Sequence, residues 1–84
     1  MSGVILPFPR VQDRRFIQRH AAHMAAASST AKAEAHLQRQ LSIQRAALER
    51  RGIDPAAVSA EIQAIECSIR AACWTFLLAP GGAA

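Results

Sequence analysis

Residues 52–78, GIDPAAVSAEIQAIECSIRAACWTFLL, decide the fold. Gly52 can take the left-handed backbone that ends a preceding helix, and Asp54-Pro55 supplies an N-cap followed by the residue best suited to a first helical position. No Pro or Gly then interrupts the chain until Pro80-Gly81-Gly82. The spacing therefore predicts a helix over 55–78. Along it Val58, Ile62, Ile65, Ile69, Ala72 and Phe76 are spaced 4, 3, 4, 3, 4, which is a heptad seam.

Upstream, a second helix is expected over 31–51, capped by Thr30 and ending in basic residues that suit the helix dipole. Its Ala33, Leu37, Leu41, Gln44 and Leu48 recur at steps of three and four residues. A linker of about three residues between the two helices makes them antiparallel neighbours, so the seams can pair. Gln44, polar within its seam, is a candidate for fixing register at a cost in stability. Asp13 can cap a shorter helix over about 14–27, which ends at the Ser28-Ser29-Thr30 break. The expected fold is all-α: an antiparallel helical hairpin, 31–51 with 55–78, plus the N-terminal helix, closing as a three-helix bundle or an oligomeric helical assembly. Residues 1–84 form one domain, with 1–11 an extended arm shaped by Pro7 and Pro9 and 80–84 a flexible tail.

Helix 55–78 carries a second stripe opposite the first: Ala57, Ala60, Ala64, Cys67, Ala71, Trp74 and Leu78, spaced 3, 4, 3, 4, 3, 4. A helix apolar on two faces meets something besides its hairpin partner. Two covers are open at this point, the N-terminal helix of the same chain and another copy. Trp74 either closes the stripe internally or stands out as an anchor for a partner. Ala64, Cys67, Ala71, Trp74 and Leu78, with Leu6 and Phe8 of the arm, are the candidate partner-binding residues. The arm either docks as an extended peptide or packs over the bundle's own end.

The chain has a net charge of +4, and up to Arg51 nine Lys/Arg stand against three Asp/Glu, whereas from Gly52 onward the count is one against three. Arg10, Arg14, Arg15 and Arg19 are the densest basic patch and the candidate phosphate-binding residues, because the arginine fork binds phosphate bidentately. The plainer reading is a solvated helix face. The patch lacks interleaved aromatics and any nucleic-acid-binding module.

Three histidines, His20, His23 and His36, include one pair at helical spacing, but no CxxC accompanies them, so no metal site is expected. Cys67 and Cys73 are about 9 Å apart along a helix, too far to bridge, and read as thiols of a reducing compartment. Nothing gathers a nucleophile, a base and an oxyanion site, so neither an enzyme nor a cofactor nor a small-molecule substrate is expected. No segment reads as a signal peptide or membrane span, which places the protein in the cytoplasm.

ILPFPR at the start, RRF opening the first helix, AHLQRQL, the RRGI turn and IRAACW with PGGAA at the close together resemble a family of small uncharacterised bacterial proteins, a domain of unknown function. The resemblance spans nearly the whole chain. It implies a compact single-domain protein and carries no site residues across. The expectation is thus a helical protein-protein interaction module or accessory subunit, non-catalytic, acting in a homo-oligomer or a larger complex. The alternative is a small basic nucleic-acid-binding protein that uses the helix 1 arginines.

Overall fold

Gly52 takes φ 75°, and the helix before it closes in the expected way. The Ile53 N–H donates to the Leu48 carbonyl (3.2 Å) and the Gly52 N–H to the Glu49 carbonyl (3.0 Å), the paired bonds of a Schellman turn. Ile53 and Leu48 both sink into the core, which fastens the turn to the bundle. The computed structural model describes residues 9–78, with α1 (Arg14–Ala25), α2 (Thr30–Arg50) and α3 (Pro55–Leu78) after a 3-10 turn at Arg10–Gln12. No β-strand is present among the described residues.

Each helix starts on a side-chain cap. Asp13 accepts from the Phe16 N–H (3.1 Å), Ser29 from the Lys32 N–H (3.1 Å) and Asp54 from the Ala56 N–H (3.1 Å). The Phe16 N–H, and after it the Arg10 guanidinium, hold the Asp13 carboxyl below its ordinary range. At the second cap the expectation is corrected by one residue. Ser29, extended at φ −154°, is the cap, and Thr30 is the first helical residue.

α1 packs most extensively on α3, and α2 pairs with α3 as a hairpin. Contacts at both ends fix the directions: Val11, before α1, meets Glu61 in the first third of α3, and Met24 of α1 shares a groove with Trp74 near the end of α3. The helices therefore run up, down, up. Phe16, Ile17, Ala21 and Met24 of α1 meet Leu37, Leu41 and Leu48 of α2 and Val58, Ile62, Ile65 and Ile69 of α3 in one core. The first seam of α3 is buried as its spacing demands, with Ala72 and Phe76 packed against its upper end.

One further expectation is corrected, and one open alternative is decided. Residues 10 and 11, the last of the predicted extended arm, open a 3-10 turn over Arg10–Gln12, with Val11 packed against the core, because Glu61 receives the Val11 N–H and draws the chain inward. The N-terminal helix also does not cover the second stripe. It lies with α2 on the seam side of α3, since its own buried residues are best served where the isoleucines already converge. The rest of the arm, including Leu6 and Phe8, and the tail 80–84 lie outside the described residues.

Candidate interaction surface

With both neighbours on one side, the opposite side of α3 is open. Ala60, Cys67, Ala71, Trp74 and Leu78 are exposed, and Ala57 and Ala64 half-buried. Trp74 is 61% exposed and Leu78 71%, values that place large apolar side chains in water rather than at the rim of a core. The structure therefore joins five of the candidate residues, Ala64, Cys67, Ala71, Trp74 and Leu78, on one continuous face. At 24 residues α3 is about 36 Å long, and the face runs most of that length.

The centre line of this face, Ala60, Cys67, Ala71, Trp74 and Leu78, carries no charge. The exposed residues of α3 are Pro55, Ala56, Ser59, Ala60, Gln63, Cys67, Ala71, Trp74, Thr75, Leu77 and Leu78. The helix does own ionic side chains; Arg70 and Glu66 stay 40% and 34% open, Arg70 beside Trp74 in the same groove, and both are held in ion pairs. Glu61 is buried, where it accepts from the Val11 N–H at 2.8 Å. Arg70 binds Glu34 of α2 through both terminal nitrogens (2.6 and 2.9 Å) and Glu66 through Nε and Nη2 (3.1 and 3.0 Å). These bonds hold the Arg70 guanidinium well above its ordinary value, and the Arg70 hydrogen bond, first among its causes, lowers the Glu34 carboxyl. Neither the Glu61 tie nor the Glu34–Arg70 clamp shows in the sequence, because partners 50 and 36 residues apart have no periodic signature.

At the upper end of the bundle the face opens into a groove of about 440 Å³ whose walls include Met24, Ala33, Glu34, Arg70, Trp74 and Leu77. Trp74 and Leu77 form its outer lip. A second cleft, about 480 Å³, lies at the other end under the 3-10 turn, where Arg10, Gln12, Gln44 and Arg51 meet. Gln44, singled out in its seam, is half-buried and lines this cleft.

The basic candidates are divided. Arg10 is tied to Asp13 (3.0 Å) and lies 5.1 Å from the centre of the Phe16 ring. Arg14, Arg15 and Arg19 are exposed along α1, and among the described residues none of the three enters an ion pair. Phe16 lies beneath them but is only 3% exposed, so it offers no stacking platform for a base.

The histidines come together more closely than their spacing suggests. His20 Nδ1 lies 2.9 Å from His36 Nε2, and the His23 and His36 rings stack at 3.9 Å. Among the described residues, no group of three His, Cys, Asp or Glu side chains is arranged to hold a metal ion. Cys67 and Cys73 are free thiols, the first exposed and the second half-buried. No helix of the described residues is long and apolar enough to cross a membrane.

The model of a family of unknown function, DUF6074, matches residues 1–84. The chain belongs to that family. No curated protein and no solved structure matches the chain. Membership in DUF6074 agrees with the small uncharacterised domain that the ILPFPR, RRGI and PGGAA segments suggest, and brings no site residue with it.

Proposed function

We propose that this DUF6074 protein is a non-catalytic helical interaction module that docks a protein partner, a second copy or another subunit, on the outer face of α3. One observation carries the reading: a face along most of the roughly 36 Å of α3, on which Trp74 and Leu78 stand 61% and 71% exposed and beside which the partly open Arg70 and Glu66 are spent on ion pairs. Interface cores are depleted in charge and enriched in aromatic residues, and small residues such as Ala60, Ala64 and Ala71 let a partner backbone approach closely. Burying the open part of the Trp74 ring, on the order of 100 Å², contributes roughly 3 kcal/mol to association.

Light scattering on natively purified protein tests this. Trp74→Ala or Ala64→Glu is expected to lower the mass of the assembly or release a co-purified subunit. A wild-type monomer whose mass and company neither substitution changes sinks the proposal.

A second reading rests on Arg14, Arg15 and Arg19, exposed and outside any ion pair among the described residues. It makes the basic face of α1 a nucleic-acid contact. Binding would then weaken steeply with salt and collapse in the double variant Arg15→Glu, Arg19→Glu. Affinity indifferent to both excludes it.

A further inference from the structure

We propose that His20, His23 and His36 form an acid-sensitive latch between α1 and α2, closed while His20 and His36 are neutral and opened when those two take up protons. The contact between His20 Nδ1 and His36 Nε2, 2.9 Å long, needs a hydrogen on one nitrogen and a lone pair on the other. Protonating both rings sets two N–H groups head to head and breaks it. The His23 ring stacks on that of His36, at 3.9 Å between centroids and 26° between planes, which closes the cluster between α1 and α2. His20 is held edge-on against Phe16 (4.6 Å), which ties the cluster to the core.

The surrounding charges all push the same way. Arg19 of α1 acts on His20 and Arg39 of α2 acts on His36, while α3, packed against both helices, contributes no charge acting on either ring. Among the described residues no carboxylate acts on either ring to compensate an added proton. Burial first, and then these positive neighbours, hold His20 and His36 below the ordinary imidazole value. A lowered folded value means that the unfolded chain protonates first as pH falls. The stabilisation is therefore complete above about 6.5 and is lost as pH drops from there through the folded values.

Opening has a defined consequence. Met24 and Ala25, next to His23, wall the groove whose lip is Trp74 and Leu77, so releasing the end of α1 from α2 widens the groove. That consequence rests on the interaction reading above. The latch itself does not, and it is tested on the isolated chain.

The experiment follows the three imidazoles by NMR from about pH 8 to about pH 4.5 with chelator present, alongside thermal unfolding of wild type and His36→Gln. His20 and His36 are expected to titrate below about 6.5. The wild-type Tm is expected to fall by on the order of 5 °C between about pH 7.5 and 5, and His36→Gln to lose less than half as much, because its amide takes up no proton. Amide exchange should rise in residues 20–27 ahead of α3. Free-imidazole titration, a parallel fall in both proteins, or exchange rising uniformly overturns the latch. If His36→Gln does not fold, His20→Gln with the same titration decides. None of these readouts needs a partner, so a failed interaction proposal leaves them unchanged.

Discussion

Glu61 is buried at 7% exposure with no cationic partner among the described residues, and its Oε2 is spent on the backbone N–H of Val11. This bond fastens the 3-10 turn to α3. Truncation by Glu61→Ala leaves that N–H unmatched and is expected to cost about 1–3 kcal/mol. Glu61→Gln keeps a carbonyl acceptor and should cost less. Urea unfolding midpoints separate the two, and equal losses would contradict the role given to the carboxylate. At this scale the apolar core residues were legible, because Val58, Ile62, Ile65 and Ile69 announce burial by spacing alone. Glu61 was not, since its partner is set by where the chain before α1 crosses α3, and nothing in either segment encodes that crossing. The spacing paired His20 with His23 and left His36 only a conceivable third, because where α2 crosses α1 is not encoded in either segment.

Helix ends were the most readable part of the chain, because caps are local chemistry. Asp13, Asp54-Pro55 and Gly52 all act where their residue types suggest. The one-residue miss, Ser29 for Thr30, arose because either hydroxyl can cap and only the extended backbone at Ser29 chooses between them. Gly52 permits a sharp test. A Cβ built there meets nothing within 4 Å, so any loss in Gly52→Ala reflects the left-handed backbone at φ 75° and not crowding. The expected cost is about 1–2 kcal/mol. Gly52→Asn should recover part of it, since Asn tolerates this conformation better. Losses that are equal for Ala and Asn would point to something other than backbone strain. Ser29→Ala should likewise destabilise by about 1 kcal/mol through its lost cap, read from the same unfolding curves.

For the molecule as a whole, the sequence disclosed two apolar faces on α3 but not which of them α1 would join. Three helices share one core most economically when the isoleucine seam faces both neighbours, and that choice leaves Ala60, Cys67, Ala71, Trp74 and Leu78 outward. Cys67 thereby becomes a reporter. In the isolated chain its exposed thiol should alkylate faster than half-buried Cys73. In an assembly on the α3 face Cys67 should become the slower of the two, as mass spectrometry of labelled peptides would show. An unchanged order on assembly would move the interface elsewhere.

The up, down, up course also governs how the protein can be handled. Pro9 sits in the cleft with Leu48 and Arg51, beside the α2–α3 turn, whereas Leu78 ends α3 at the far side, roughly 25 Å beyond Glu61. A bulky label attached at residue 78 would stand one turn from Trp74 and crowd the groove. The same label attached at residue 9 would sit at the opposite pole, in the cleft with Leu48 and Arg51. Capture experiments with the two labelled chains should therefore recover different companions, the chain labelled at residue 78 losing those that grip the aromatic end.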